Sequence, residues 1–113
     1  MNDDCIFCKI VGKQIPAVLV YEDDKVLAFN DVNPQAPVHV LVIPKAHITT
    51  VAELEDMSVI KDLFAVMKKV AEKKGIDKTG YRIVVNHGRD SGQAVPHLHF
   101  HLLGGRPLHW PPG

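Results

Sequence analysis

Apolar residues recur along this chain with two different periods, and the change between them divides it into elements. Alternation of the kind a strand requires runs through VLVYED (18–23), KVLAFND (25–31), VHVLVIP (38–44), YRIVVN (81–86) and VPHLHFHLL (95–103). Spacings of three and four take over from Met57 through Ile60, Leu63, Phe64, Met67, Val70 and Ala71. Lys61, Asp62, Lys68, Lys69, Glu72 and Lys73 fall mostly on the opposite side, and Gly75 is placed to end the helix. Near the N-terminus, Ile6, Phe7, Ile10 and Val11 share one helical face that stops at Gly12, which predicts a short helix or turn.

The connections are equally readable. Asp23 and Asp24 sit between the first two strands as a hairpin turn, and NPQAP (33–37) is a loop by its two prolines and Asn33. Thr50 followed by Glu53 matches a capping box and predicts a short helical turn. The stretch HGRDSGQA (87–94) is a loop, and GGRPLHWPPG (104–113) is a tail too rich in proline and glycine for a helix or an interior strand. Strands joined by short loops pair antiparallel and one long amphipathic helix can cover a sheet face. The expectation is therefore an α+β domain with about five strands, spanning residues 1–113 with its tail at 104–113.

Length and charge narrow the function classes. A chain of 113 residues is the size of one domain, and its 13 Lys and Arg balance 13 Asp and Glu. Zero formal net charge gives no bulk attraction to nucleic acid or an anionic membrane, so any phosphate binding must be local. No apolar run is long enough to cross a bilayer and MNDDCIF does not read as a secretory signal, so a cytoplasmic protein is expected. The two cysteines, Cys5 and Cys8, form a CxxC, which reads as a redox dithiol or as half of a zinc site. A redox motif belongs after a strand in a thioredoxin-like unit. Only four residues precede Cys5 here, and that position favours zinc.

The most specific signal is the row His97, His99 and His101. In a strand, all three project from one face while Leu98, Phe100 and Leu102 point to the other and supply burial. A neutral imidazole can attack phosphorus or a carbonyl carbon, and a neighbouring ring can stabilise charge growing on the substrate oxygen. His99, flanked on both sides, is the natural nucleophile. The preceding loop carries Gly88, Ser91, Gly92 and Gln93; its glycines allow backbone amides to converge on an anion, and an ordinary surface turn fits the same residues equally well. His39 is the one polar residue in an otherwise apolar central strand.

HLHFHLL also resembles the motif of the histidine triad nucleotide hydrolases. CIFCKI, YEDDKVLAFNDVNPQAPVHVLVIPKAH, YRIVVN, GQAVPHLHFHLLGG and the tail resemble, in order, the Hint branch of that family. The resemblance implies a sheet extended across a homodimer and cleavage of purine nucleoside phosphoramidates through a nucleotidyl-histidine intermediate. It implies purine nucleotides such as AMP and GMP as ligands, with no nucleic acid or membrane partner. His99 aligns with the nucleophile, His101 with the histidine on the phosphate oxygens, and His39 with a histidine supporting the triad. Asp31 matches the acid that binds the ribose hydroxyls, and Ile6, Phe7, Ile10, Phe29 and Val32 match the positions that enclose the base. Asn86 and the backbone of Gly92, Gln93 and Ala94 match phosphate or leaving-group contacts. Cys5, Cys8, His47 and His97 match a closed zinc site of the kind that braces rather than catalyses. Trp110, in a tail that in this branch reaches toward the partner's site, is expected to influence the choice of leaving group. Two departures stand out. Ala94 replaces a serine near the leaving group, and Pro96 replaces an aromatic residue. Two other readings compete: a zinc hydrolase with the triad as ligands, and a nucleotide-binding or protein-interaction module with vestigial hydrolysis.

Overall fold

In a computed structural model that describes residues 4–113, each periodic segment becomes the element its period predicts, with one boundary displaced. The order is α1 (Ile6–Val11), β1 (Leu19–Glu22), β2 (Val26–Asn30), β3 (Val38–Pro44), α2 (Ser58–Lys73), β4 (Tyr81–Val85) and β5 (Phe100–Gly104). Local chemistry sets the turns. Asp23 Oδ1 accepts from the amides of Lys25 and Val26 at 2.8 Å each, closing the β1–β2 hairpin. Thr50 Oγ1 accepts from the Ala52 amide at 3.1 Å and opens a single 3-10 turn over Val51–Glu53. Gly75, at φ 72°, takes the left-handed conformation that ends α2.

The strands form one antiparallel sheet in the order β1-β2-β3-β5-β4. Both β3 and β4 run antiparallel to β5. The chain leaves β3, crosses the sheet through α2, enters at the edge as β4, and returns to fill the gap as β5. This is an α+β fold with a five-stranded antiparallel sheet, one long helix and one short one.

Each face of the sheet has its own apolar cluster. Against α2, Val26, Ala28, Val40, Val42, Phe100 and Leu102 pack on Leu63, Val66, Met67, Val70 and Ala71. The helical stripe is slightly rotated from the sequence expectation. Met57, at the N-cap, and Phe64 remain substantially exposed while Val66 is buried in the core against the sheet. On the opposite face, α1 packs Phe7, Cys8 and Ile10 against Leu27, Phe29, Leu41 and Ile43.

The displaced boundary lies in the histidine row. A strand was expected over 95–103, but regular pairing with β3 and β4 begins only at Phe100, opposite Val42 and Val85. Pro96 has no amide hydrogen to contribute to a ladder. The His97 amide donates to Val95 O at 2.9 Å and the Leu98 amide to Ile48 O at 2.6 Å, so the backbone before Phe100 is satisfied by loops. Side-chain alternation survives without the ladder. Leu98, Phe100 and Leu102 remain in the α2 core, while His97 and His99 meet the edge of Phe7 on the other face.

Candidate active site and metal centre

The three histidines of the row are held in three different ways. His99 is buried, and its Nδ1 donates to the carbonyl oxygen of His97 at 2.7 Å. An imidazole with its proton fixed on Nδ1 has its lone pair on Nε2, which is the atom an attacking ring must present. Phe7 contacts the ring edge-on with centroids 5.2 Å apart, and the His101 ring lies 5.1 Å away, centroid to centroid.

His101 is reached across the sheet. Leu41 pairs with His101 and His39 with Leu103, so His39 is the diagonal neighbour of His101 on the same face. Its Nε2 lies 2.9 Å from His101 Nδ1. The β2–β3 loop decides which atom holds the proton. The Gln35 amide donates to His39 Nδ1 at 3.0 Å, so that nitrogen is an acceptor and the ring's single proton is on Nε2. His101 Nδ1 must then accept, leaving a proton on its Nε2. Burial, assisted by the neighbouring His99 and His39 rings, pushes His101 down to about 4. Burial also lowers His39, against the pull of Asp31. Both rings are therefore neutral at pH 7, and His101 offers an N–H donor. The Asp31 carboxylate is the third member of this group. Oδ1 accepts from the Asn33 amide at 2.8 Å, and Oδ2 lies 3.4 Å from His39 Nε2.

These three residues bring ligand-type atoms within 4.8 Å of one another, yet their hydrogen bonding argues against a metal. A ligating histidine donates through its other nitrogen, whereas the other nitrogen of His39 accepts from Gln35.

The first histidine of the row belongs to a second cluster. Cys5, Cys8, His47 and His97 converge with all four ligand-type atoms within 4.8 Å. The cysteines come from the N-cap and first turn of α1, His47 from the segment after β3, and His97 from the bend before β5. His97 Nδ1 lies 3.4 Å from Cys5 Sγ, 3.6 Å from Cys8 Sγ and 3.2 Å from His47 Nδ1, and Cys8 Sγ lies 3.2 Å from His47 Nδ1. A tetrahedral zinc with ordinary bond lengths needs edges of about 3.3 Å between nitrogens, about 3.5 Å between nitrogen and sulfur and about 3.8 Å between sulfurs, so the donor set fits to within a few tenths of an ångström. Its second shell is also present. His97 Nε2 donates to Pro44 O at 2.8 Å, which leaves Nδ1 free to ligate, and burial lowers the ring's basicity so that it stays neutral.

The remaining predicted residues divide. Phe7, Ile10 and Phe29 are brought together, but as core. Ile6 is half exposed, and Val32, next to Asp31, is 97% exposed. Asn86 directly follows β4, whose last residue, Val85, pairs with Phe100. The loop before the row is not the open anion nest its glycines allow. The Gly92 amide donates to Arg89 O at 3.0 Å and the Gln93 amide to Gly88 O at 3.3 Å, leaving Ala94 the first amide in that run without a partner among the described residues. Gln93 acts through its side chain instead, accepting from the Gly88 amide and donating to Thr49 O and Val95 O. Trp110 is 81% exposed, in a tail tied to this chain by Arg82 donating to His109 O and Arg106 donating to Gln35 O. The functional atoms that sequence reasoning missed are the Gln35 amide and the carbonyls of Pro44 and His97. Backbone groups carry no residue-type signal, and only the two prolines and Asn33 of NPQAP hinted at a shaped loop.

His99 and His101 side by side and the nearby Cys₂His₂ cluster lie in a chain with known relatives. The family model for the HIT domain matches residues 12–108. The chain belongs to the HIT family. An uncharacterized HIT-like protein of Synechocystis sp. is 52% identical over the full length of both chains. A 14 kDa zinc-binding protein of Zea mays is 50% identical over 96% of this chain and 87% of its own. Among solved structures, a HIT family hydrolase from Legionella pneumophila is 46% identical, covers 97% of this chain and 100% of its own, and superposes with a TM-score of 0.95. Membership of the HIT family supports a nucleotide-hydrolysing or nucleotide-binding role. No helix among the described residues of this HIT domain is long and apolar enough to cross a membrane.

Proposed function

We propose that this HIT protein hydrolyses purine nucleoside phosphoramidates, in the manner of the Hint branch, through a covalent nucleotidyl intermediate on His99. The observation that carries the reading is the 2.7 Å bond from His99 Nδ1 to His97 O, which leaves Nε2 as a free nucleophile beside a neutral His101 donor. Nε2 attacks the α-phosphorus as the P–N bond breaks, and the electron pair leaves with the amine, which takes a proton from water. The His97 carbonyl supports the positive charge that develops on the His99 ring, and His101 Nε2–H donates to a non-bridging phosphate oxygen. Water then attacks the same phosphorus, loses a proton to solvent, and the His99 nitrogen departs, releasing the nucleoside monophosphate. Asp31 binds the ribose hydroxyls, Ile6 and Val32 with Phe7, Ile10 and Phe29 contact the base, and Asn86 with the Ala94 amide faces the leaving-group side.

Zinc at Cys5, Cys8, His47 and His97 would supply a closed structural brace with no open position for water, and no step passes through it. Two copies pair in this reading through the exposed edge of β4, where Tyr81 and Val85 are only partly covered, and each tail carries Trp110 toward the other copy's site. The protein is read as cytoplasmic. A second reading, nucleotide binding with vestigial hydrolysis, is favoured by one observation. Ala94 is exposed and offers no hydroxyl to protonate a departing amine.

Trapping of a nucleotidyl adduct from adenosine 5′-phosphoramidate that survives alkali and is released by acid, as a phosphorus–imidazole bond is, and that is abolished in His99→Ala, tests the proposal. A folded, zinc-loaded protein that binds AMP but gives neither adduct nor turnover would move the assignment to the binding module.

A further inference from the structure

One proton in this site has a hydrogen-bond acceptor and a carboxylate close beside it. His39 Nδ1 accepts from the Gln35 amide, so His39 can neither shift its Nε2 proton to Nδ1 nor gain a second one there without setting two donors against each other. That Nε2–H faces His101 Nδ1 at 2.9 Å and Asp31 Oδ2 at 3.4 Å. The two neighbours, one bonded and one electrostatic, differ in what they touch. His101 presents its other nitrogen to the phosphate, and Asp31 presents its carboxylate to the ribose. Both belong to the substrate-contacting side in the function proposed above, on which this inference rests.

We infer that a ribose diol, by engaging the Asp31 carboxylate, releases the His39 Nε2 proton wholly to His101 and so strengthens the phosphate donor; the sugar is sensed in the chemical step as well as in binding. Donation into Nδ1 draws electron density from the His101 ring and makes its Nε2–H a better donor, as coupled hydrogen bonds do. When a hydroxyl is absent, Asp31 keeps part of its hold on the His39 proton and His101 is the weaker donor. His39 is then a positioning residue. It touches no substrate, and it transmits the occupancy of the ribose subsite to the phosphate subsite through one hydrogen atom.

The route is fixed by the fold. The Asp31 amide donates to the His39 carbonyl at 2.9 Å, and Arg106 donates to Gln35 O at 2.8 Å, so the loop that supplies the Gln35 amide is held at both ends.

The test compares adenosine 5′-phosphoramidate with its 2′-deoxy analogue in single turnovers at saturating substrate, alongside steady-state KM. In the native protein the deoxy substrate is expected to react about three- to tenfold more slowly at saturation, the scale of one neutral hydrogen bond, besides binding more weakly. In His39→Leu the saturating rates should become equal while the KM difference remains, and His39→Gln, which restores an N–H donor, should recover part of the rate difference. A native protein that distinguishes the two substrates in KM alone, or a His39→Leu protein that keeps the rate difference, overturns the inference.

A second readout needs no turnover. In ¹⁵N-histidine spectra, assigned with His101→Gln, the His101 Nδ1 resonance should move toward the hydrogen-bonded position when AMP is bound and move less with 2′-deoxy-AMP. Equal shifts for the two nucleotides refute the coupling. Failure of the phosphoramidase reading would appear instead as absent turnover with that spectral difference intact.

Discussion

Acid should destabilise this protein through His101, and the size of the effect follows from its surroundings. In the folded chain burial and the adjacent rings hold His101 at about 4, whereas an unfolded histidine titrates near ~6.5. Between those values the unfolded chain binds the extra proton and the folded chain does not, so the free energy of unfolding falls as pH falls. Above about pH 6.5 nothing is lost; at pH 5 the loss is about 2 kcal/mol, and below pH 4 it levels near ~3 kcal/mol. The depressed basicities of His39 and His97 act in the same direction, and acid also weakens a Cys₂His₂ site. Those contributions are shared by a His101→Gln variant, so the informative quantity is the difference between the two proteins. Urea unfolding followed by far-ultraviolet circular dichroism at pH 7, 6 and 5 should show native stability falling relative to the variant by about 2 kcal/mol. A difference independent of pH would mean that His101 takes up a proton in the folded state at its ordinary pKa. The proton assignment built on the Gln35 amide and His39 would then be wrong.

Three other outcomes follow. Cys8→Ser removes one of four ligands, so zinc content by elemental analysis should fall from one per chain toward zero with a lower Tm; retained stoichiometry would show that the cluster is not the site. Ala94→Ser returns a hydroxyl to the leaving-group side and should raise turnover of substrates with poorly departing amines by about tenfold, while activated leaving groups gain little; equal gains would reject a proton-donating role. Gly104→Ala would place a Cβ 2.9 Å from Ile76 Cδ1, and that overpacking should cost about 1–3 kcal/mol in urea unfolding without altering zinc binding.

The site was legible in the sequence to the extent that period and residue type carry it. The alternation in VHVLVIP gives β3 its limits at Val38–Pro44, and the spacing in HLHFHLL assigns its histidines and its apolar residues to opposite faces even where the ladder has not begun. Cys5 and Cys8 announced a metal-type pair, but nothing local pointed from them to His47 and His97, at sequence separations of 39 and 89 from Cys8. The Gly-rich loop was ambiguous for the opposite reason. Its glycines permit an anion nest, and the permitted amides were spent on Arg89 O and Gly88 O inside the loop. Phe7, Ile10 and Phe29 fit two roles at once, because the side of a pocket that faces away from its ligand is core.

What the sequence alone determined is which residues share a face, since the periods of 2.0 and 3.6 are properties of the backbone and need no neighbour. The tertiary structure decided who meets across the sheet. Placing β5 between β3 and β4 sets His39 diagonal to His101 and sends the chain past Pro44 and Ile48 before the ladder begins. Above all it decided where protons sit. The tautomers of His39, His97, His99 and His101 are set by the Gln35 amide, the carbonyls of Pro44 and His97, and one ring's contact with another. Every residue but proline carries the same amide and carbonyl, so the sequence cannot mark the ones that the folded chain will aim at a histidine.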